Sequence, residues 1–450
     1  MSPSRKKVRD LLQRDNAAIG KVMQCRFYPL AVEQAEGCKL RDLDGNEYLD
    51  FTSGGSVAST GYCHPSIVEA IRSEAGRLTH NCFVISSNPI TVELAEKLKE
   101  ITPGEFDKKV WFGLSGSDAN ETVIKLLPRV ARRPKIISFM GAFHGMTMGA
   151  LSMSGDRNLS KFTGLANVVK VPYAYCYRCP FKLEYPECGI HCVDFIKDYV
   201  FNTVCPPEET SCIIVEPLQS DAGNIVPPDE FLPKLSQLCK DYGLYMVVDE
   251  VKTCFGRTGK MFAVQHTGVE PDLLILGKPM ASGLPLSACV GRCEILDSGF
   301  SHGFTTGANP ISCAASLATI RILDKEHLVD NSARMGAHLM KRLEELKGQH
   351  EMIGDVRGKG LIAGIELVRN RNTKEPAHLE TTKVCYRAWE LGLIIIYLGI
   401  YANSIELTPP LVVTKEQLDT GLDILDRAFE DVERGKVSDR SLQGFDGWVR

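Results

Sequence analysis

Three consecutive apolar runs near the middle of the chain each end in an ionisable side chain. Glu216 follows CIIV, Asp249 follows YMVV, and Lys278 follows DLLILG. In a parallel sheet, ligands bind beyond the carboxyl ends of the strands, so three such side chains would meet in one crevice. A single charge at a strand end is usually only solvated. Three in series predict a shared site.

The stretch GLSGSDANETVIKLL contains a second candidate feature. Gly116 and Ser117 lie between a predicted strand and a predicted helix, where free backbone N–H groups and the helix dipole favour a phosphate. The alternative is an ordinary helix N-terminus capped by Ser117 or Asp118. Taken alone, the stretch favours the ordinary cap.

Patterns of hydrophobicity predict the elements that would position these residues. From about residue 61 onward, helical patterns alternate with the apolar runs KVWFGL, KIISFM, CIIVEP, YMVVDEV and DLLILGK, which is typical of a parallel α/β sheet. Beyond residue 328 the pattern changes to that of a small α+β domain. We therefore expect an N-terminal segment (1–60) packed with the small domain, a large domain (61–327) and a small C-terminal domain (328–450).

Two local signals support this division. DLDGN lies between two short strand-like runs and predicts a hairpin, which we expect to be peripheral. In the last helix, Thr414 and Gln417 are spaced as a capping box. Its apolar stripe predicts a face packed in the core and comprises Leu418, Leu422, Leu425 and Phe429.

Composition narrows the class of partner. The chain has 450 residues with 52 Lys and Arg against 56 Asp and Glu, a formal charge of -4, so it offers no broad basic field for nucleic acid or acidic membranes. No apolar run approaches the ~18 residues of a membrane span, and the first residues have no signal-peptide pattern. We expect a cytoplasmic protein with a small-molecule partner.

The 16 cysteines do not require a disulfide framework in a chain of this length, and most lie singly in apolar stretches. The exception is a cluster spaced like a thiolate metal site, formed by Cys176, Cys179, Cys188 and Cys192. The alternative, a Cys-rich surface insertion, is favoured, and no metal ligands are assigned.

The ordered set SGSDAN, FHGMT, VEPLQ, VVDEVKTCFGRTGKM, LGKPMASGLP and TTGANP resembles the class III aminotransferases of pyridoxal-phosphate (PLP) fold type I. The resemblance spans nearly the whole chain, including IGDVRGKGL and TPPLVVTKEQL. It implies an α/β fold in which a large, PLP-binding domain has a mostly parallel sheet and is joined to a small α+β domain. It also implies a cofactor held on Lys278 as a Schiff base.

The resemblance assigns cofactor contacts residue by residue. Gly116 and Ser117, with Thr305 from a neighbouring subunit, would hold the phosphate, which implies a homodimer or a larger assembly of dimers. Phe143 would stack on the pyridine ring and Val251 would press on its other face. His144 and Gly145 complete the FHG motif.

Lys278 and Asp249 are the residues to which the resemblance assigns catalysis. A carboxylate beside the pyridinium nitrogen keeps it protonated and strengthens the ring as an electron sink. A desolvated lysine is a good nucleophile and, once released by substrate, can move the Cα proton. Glu216 and Asp221 match two acidic positions that line the family's site.

The sequence departs from the family pattern near the cofactor. Lys252 stands where most members have Gln and puts a cation near a cofactor oxygen, Cys254 replaces Gly, and Asp221 replaces a frequent Glu. Glu406 stands where many members have the Arg that binds an α-carboxylate. If Glu406 faces the substrate, an amide, lactam or simple amine would be preferred, and Glu406→Arg should improve simple α-amino acids.

These departures leave two reactions open. Family membership favours an aminotransferase that abstracts the Cα proton of an amino acid or related amine. The alternative is a racemase or epimerase of amino acids, amino amides or aminolactams, which shares the Cα carbanion and differs in where the proton returns. A non-catalytic relative would be expected to lack Lys278 or Asp249, and both are present.

Overall fold

A computed structural model describes residues 5–156, 167–299, 301–445 and 447. Its strands, numbered in chain order, are β1 (Val32–Glu36), β2 (Lys39–Asp42), β3 (Glu47–Asp50), β4 (Lys108–Gly113), β5 (Lys135–Phe139), β6 (Val168–Val171), β7 (Thr210–Val215), β8 (Tyr245–Asp249), β9 (Leu273–Leu276), β10 (Ser287–Arg292), β11 (Ile353–Gly358), β12 (Ala363–Asn370), β13 (Glu375–Pro376), β14 (Leu393–Ile394), β15 (Ile396–Leu398) and β16 (Ser404–Leu407).

The helices range from single turns to 22 residues. They are α1 (Lys6–Ala18), α2 (Ser53–Ser56), α3 (Pro65–Arg77), α4 (Pro89–Ile101), α5 (Gly116–Ala131), α6 (Met148–Met153), α7 (His191–Phe195), α8 (Phe231–Tyr242), α9 (Cys293–Leu296), α10 (Pro310–Lys325), α11 (Leu328–Gln349), α12 (His378–Glu390) and α13 (Lys415–Glu433). Among the described residues, no helix combines the length and apolar character needed to cross a bilayer.

A seven-stranded sheet, which we call the large sheet, has the order β4-β10-β9-β8-β7-β5-β6. All neighbours from β9 to β6 are parallel, as the alternating pattern predicts. Strand β10 runs antiparallel between β9 and β4 and was not among the predicted strands. The strands at its centre, β7 to β9, are almost fully buried and apolar, which is typical of a sheet covered on both faces.

A second, antiparallel sheet of order β11-β12-β16-β15 is called the small sheet. The run LGLIIIYL, which reads as one strand in the sequence, divides between two sheets. Its first part, β14, pairs in parallel with β3, and its second part, β15, joins the small sheet. Helices α11, α12 and α13 pack beside these strands and complete the α+β layer.

The local signals at the two ends of the chain have different outcomes. The capping box of α13 is present, with Thr414 and Gln417 bonded reciprocally, and the apolar stripe of that helix is fully buried. The predicted hairpin joins β2 to β3 through a turn at Gly45. The expectation that it would be peripheral is wrong, because β3 pairs with β14 and the adjacent Phe51 is fully buried in the main core.

Candidate active site

The three ionisable residues at the ends of apolar runs converge as predicted. Glu216 directly follows β7, Asp249 ends β8, and Lys278 follows β9 after one glycine. These strands are neighbours in the large sheet and run in the same direction, so their carboxyl ends meet at one edge. All three side chains line one cavity of about 520 Å³.

Most of the other residues that were singled out in the sequence also line this cavity. They are Gly116, Ser117, Phe143, His144, Gly145, Asp221, Val251 and Lys252. Thr305 does not line the cavity and is exposed on the isolated chain. Its contribution to a neighbouring subunit's site therefore stays a prediction.

The helix that follows β4 begins at the cavity. Its cap is Ser115, whose Oγ accepts a hydrogen bond from the Asp118 backbone N–H at 3.3 Å, so the alternative of a cap by Ser117 or Asp118 is wrong. Ser117 instead lies in the first turn and accepts from the Met146 N–H at 3.0 Å. A Cβ at Gly116 would lie 2.7 Å from Val251, so this close approach requires glycine. The arrangement leaves first-turn N–H groups at the cavity, where they favour an anion.

Asp249 is buried and accepts three hydrogen bonds. The Val251 N–H donates to its Oδ1 at 2.9 Å, while Asn120 Nδ2 and His144 Nδ1 each contact Oδ2 at 2.8 Å. This set fixes the carboxylate at the floor of the cavity and leaves part of its capacity of about four acceptor positions free for a ligand. Sequence reasoning missed Asn120, although it lies in the quoted motif SGSDAN, one helical turn after Gly116.

Glu216 is held in a different environment. It accepts from the backbone N–H groups of Phe143 at 2.9 Å and Ser220 at 3.2 Å. Burial raises the pKa of its carboxyl to about 7, and the negative charges of Asp249 and Asp221 add to the shift. Glu216 therefore changes charge near neutral pH.

Lys252 forms a buried ion pair beside the cavity. Its Nζ lies 2.7 Å from Glu406 Oε2, and the side chains are 9% and 0% exposed. Burial lowers the pKa of Lys252, but Glu406, Asp221 and Glu216 more than offset this and raise it above the usual value. Glu406 is not among the residues that line the cavity. The preference for an amide, lactam or simple amine was expected only if Glu406 faced the substrate. That condition is not met.

Asp221 differs from the other two carboxylates of the cavity in having few partners. It lies in a turn after β7, is only partly buried, and its backbone oxygen accepts from Gly399 N–H at 3.0 Å. Within the described residues, no side chain or backbone N–H is bonded to its carboxylate. Asp221 therefore presents to the cavity a carboxylate that accepts no hydrogen bond from the described residues.

Apolar side chains complete the wall, and sequence reasoning did not single them out. They come from separate segments and are Val57, Leu114, Leu218, Leu284, Pro285 and Leu286. Leu284 and Pro285 lie within the quoted motif LGKPMASGLP, Leu218 lies within VEPLQ, and Leu114 directly follows β4, but none of them carries a charge. A ligand that enters this cavity meets charged groups at the strand ends and hydrocarbon elsewhere.

The cysteine cluster lies outside this cavity. Cys176, Cys179, Cys188 and Cys192 line a separate void of about 20 Å³ under the segment 173–192, and all are free thiols. Across residues 5–156, 167–299, 301–445 and 447, no three His, Cys, Asp or Glu side chains stand close enough to hold a metal ion. Cys254 is buried against the Gly277 carbonyl.

Comparison with known sequences identifies the family. The sequence profile of the aminotransferase class-III family matches residues 22–429. Leucine/methionine racemase of Thermococcus litoralis is 40% identical over 98% of this chain and 99% of its own. Isoleucine 2-epimerase of Lentilactobacillus buchneri is 40% identical over 98% and 99%. A 5-aminovalerate aminotransferase of Pseudomonas aeruginosa is 35% identical over 94% and 98%.

Solved structures agree with this assignment. An aminotransferase of Bacillus anthracis matches with a TM-score of 0.89 and 31% identity over 95% of this chain and 99% of its own. An amine transaminase of an uncultivated Pseudomonas species, in its PLP-bound form, matches with a TM-score of 0.84 and 28% identity over 90% and 95%. The predicted α/β architecture of PLP fold type I is confirmed. The chain therefore belongs to the class III aminotransferase family of PLP-dependent enzymes.

Proposed function

We propose that the protein is a PLP-dependent racemase or epimerase of neutral α-amino acids with apolar side chains. The observation that carries this proposal is the presence of two uncommitted proton carriers, Lys278 and Asp221, on one cavity. Racemisation removes a proton from one face of Cα and returns it to the other, so it needs an acid/base on each side. Relatives that are 40% identical and act as amino-acid racemases or epimerases support the same choice.

The residues of the cavity fit PLP. First-turn N–H groups of α5, with Gly116 and Ser117, suit its phosphate, and Asp249 suits a protonated ring nitrogen. Lys278 supplies the amine to which the aldehyde attaches. When bound, the cofactor supplies an electron sink that stabilises negative charge at the substrate's Cα.

The acidic side chains of the cavity differ in the hydrogen bonds that they accept, and we assign their roles on this basis. Asp249 accepts from three donors, which suits a fixed anion, and Glu216 accepts from two backbone N–H groups. Asp221 has no such donors among the described residues. We therefore assign Lys278 Nζ to proton transfer on one face of Cα and the Asp221 carboxyl to the other.

The remaining wall suits an apolar amino acid. Since Glu406 is neutralised by Lys252, its charge does not oppose an α-carboxylate. The substrate side chain would then contact Val57, Leu218 and Leu284, where burying each methylene contributes about 0.8 kcal/mol. A charged side chain would lose its hydration there without gaining a partner.

Aminotransfer is the second candidate. It is favoured by the relative that acts on 5-aminovalerate, with 35% identity, and it uses the same lysine and the same ring-nitrogen partner. It differs because the proton removed by Lys278 would not return to Cα and because a keto acid is required to complete the cycle. Asp221 would have no proton-transfer role in that reaction.

Assembly, location and domain limits belong to the same proposal. A homodimer would bury apolar residues that are exposed on the isolated chain, such as Ile85, Met146 and Met148, and would bring Thr305 of the second subunit to the phosphate. We place the enzyme in the cytoplasm. The proposed large domain is 61–327, with the N-terminal segment packed against a C-terminal domain that begins with α11 at Leu328.

The decisive experiment uses single L-amino acids and no keto acid. The holoenzyme is incubated with L-leucine, L-methionine, L-isoleucine or L-lysine, and the products are separated on a chiral column. Racemase activity predicts the D-enantiomer, or the Cα epimer of isoleucine, from the apolar substrates and little conversion of lysine. Conversion that requires an added keto acid and yields the corresponding keto product would establish aminotransfer instead.

A further inference from the structure

We propose that Glu406 is a positioning residue that acts on the cavity through Lys252, holding its ammonium charged and fixed so that it binds an anionic oxygen of the ligand. Two ligand oxygens have this chemistry, the ring oxygen of the cofactor and the substrate's α-carboxylate. The inference rests on the proposed function for the identity of these ligands. It concerns binding and can be tested without turnover.

The sheet geometry determines where Glu406 can lie. The residue is on β16, between β12 and β15, opposite Gly364 on one side and Ile396 on the other. Its side chain is fully buried and reaches Lys252 Nζ at 2.7 Å, while Lys252 lies three residues after Asp249 and lines the cavity. A carboxylate of the small sheet is therefore paired with a lysine in the segment that follows β8.

The carboxylate has few other partners. Its Oε1 is buried with no hydrogen bond from any described residue. Ser220 Oγ lies 3.4 Å from Oε2, but its single proton is closer to Asn224 Oδ1, at 3.0 Å. Lys252 is thus its principal source of compensation.

A second cation near Glu406 is occupied elsewhere. Arg257 is fully buried and donates to the backbone oxygens of Leu361 and Pro409 and to the hydroxyls of Ser53 and Ser59. None of its described hydrogen bonds goes to Glu406. Arg257 therefore acts on Glu406 through its charge alone, and Lys252 is the cation that bonds directly to this buried carboxylate, which is strongly disfavoured without a partner.

Removing Glu406 should change the charge of Lys252. Burial lowers the pKa of this lysine, and Glu406 makes the largest contribution of the three carboxylates that oppose it. Without Glu406, Asp221 and Glu216 remain, so the pKa should fall but some protonation should persist. The ammonium is present below that pKa and is lost as the pH rises through it.

Glu366 provides a matched control on the adjacent strand β12. It is as buried as Glu406 and pairs with Arg357, at 2.8 Å, and with Arg178. It does not line the cavity. Glu366→Gln should therefore lower stability, as Glu406→Gln should, without changing the pH dependence of ligand binding.

The test measures the dissociation constant of pyridoxal phosphate and the visible spectrum of the bound cofactor against pH, using Glu406→Gln, Glu406→Asp and Glu366→Gln. For Glu406→Gln we expect the alkaline midpoint of either property to fall by about 1 pH unit or more. Glu406→Asp should recover part of the shift, and Glu366→Gln should match wild type.

A second arm adds a non-reactive carboxylate analogue of leucine. A shift in cofactor binding alone identifies the ring oxygen, and one in analogue binding alone identifies the substrate carboxylate.

Lys252→Gln and the double variant Lys252→Gln/Glu406→Gln guard against a folding failure, because the double variant leaves neither charge buried alone. If Glu406 acts only through Lys252, the two should bind cofactor and analogue equally at every pH. Weaker binding by the double variant would overturn the proposal, and so would a wild-type midpoint in Glu406→Gln. Neither result depends on whether the enzyme racemises or transfers amino groups.

Discussion

The cavity has two sides that are supported by different parts of the fold. The strand-end side comprises Gly116, Asp249 and Lys278, and the side-chain contacts of Asp249 come from residues on or beside the large sheet. The small-sheet side comprises Asp221 and Lys252. Asp221 is bonded by Gly399, which follows β15, and Lys252 is bonded by Glu406, which lies on β16. Cofactor chemistry is explained by the first side. Under the proposed function, the second proton carrier, Asp221, lies on the second side.

Under the proposed function, this division separates the residues that hold the cofactor from Asp221, which would return the proton to the second face of Cα. Replacing a residue on the small-sheet side leaves the phosphate site, the ring-nitrogen partner and the lysine amine in place. Replacing one on the strand-end side removes a function that every reaction of the cofactor needs. Variants of the two sides should therefore fail in different ways.

The largest effect is expected from Lys278→Ala. The substitution removes both the amine that holds the cofactor and a proton carrier, so turnover should fall by about four orders of magnitude or more. Peptide mapping after borohydride reduction should find the cofactor label on Lys278 in wild type and nowhere in the variant. Exposed Lys240 is the control, and Lys240→Ala should behave as wild type. A label on another lysine would contradict the assignment of Lys278 as the residue that holds the cofactor.

Asp249→Asn should slow the reaction by about 10² to 10⁴-fold while much of the cofactor stays bound. The neutral amide no longer holds a ring proton, and with its oxygen toward Asn120 and His144 its NH2 group cannot accept from the Val251 N–H. Asp272→Asn, at the other end of β9 and paired with Arg292, is the control. Pre-steady-state measurement of Cα–H cleavage distinguishes slow chemistry from lost cofactor. An unchanged rate would show that Asp249 has another role.

On the small-sheet side, Glu406→Arg should cost about 3 to 5 kcal/mol of stability, because it places a third cation beside buried Lys252 and Arg257. This replaces the sequence-based expectation that the change would improve simple α-amino acids. The double variant Lys252→Gln/Glu406→Arg removes one cation and should recover much of the loss. Urea denaturation of the single and double variants measures both effects. Equal free energies of unfolding for the single and double variants would contradict the interpretation of Lys252 and Glu406 as a buried ion pair.

Glu216→Gln should have the smallest effect, seen in the pH dependence of stability. The pKa of Glu216 is about 7 in the folded chain and is near 4.5 without burial, so its ionisation destabilises the fold. The protonated carboxyl stabilises the folded chain at pH values below the unfolded pKa of Glu216, and this stabilisation is lost as the pH rises toward 7. Gln cannot ionise, so the variant should lose less stability over this interval, by about 1 to 3 kcal/mol. Identical pH profiles of the cofactor-free proteins would contradict the assigned pKa.

The sequence predicted that Glu216, Asp249 and Lys278 would meet at one site, for a physical reason. Parallel strands that are buried on both faces read as continuous apolar runs, so the charges that end them are conspicuous. Glu216, Asp249 and Lys278 were found in this way before any family resemblance was considered. Resemblance then added Phe143, His144 and Val251, which no pattern of charge or hydrophobicity distinguishes.

Other features depend on contacts between residues distant in the sequence and could not be predicted. The pairing of Lys252 with Glu406 joins positions 154 residues apart. LGLIIIYL divides between two sheets because β3, far upstream, offers an edge to its first part. The antiparallel strand β10 contains small residues and a cysteine, and its pattern does not reveal its direction.

The assignment of two proton carriers is the central claim, and Asp221→Asn in deuterated water tests it most directly. Each enantiomer of leucine is supplied separately without keto acid, and both inversion and deuterium at Cα are measured. We predict that the variant inverts at least about 100-fold more slowly than wild type. Lys278 should still exchange the Cα proton of one enantiomer with retention of configuration. Inversion of both enantiomers at the wild-type rate would contradict the assignment of Asp221.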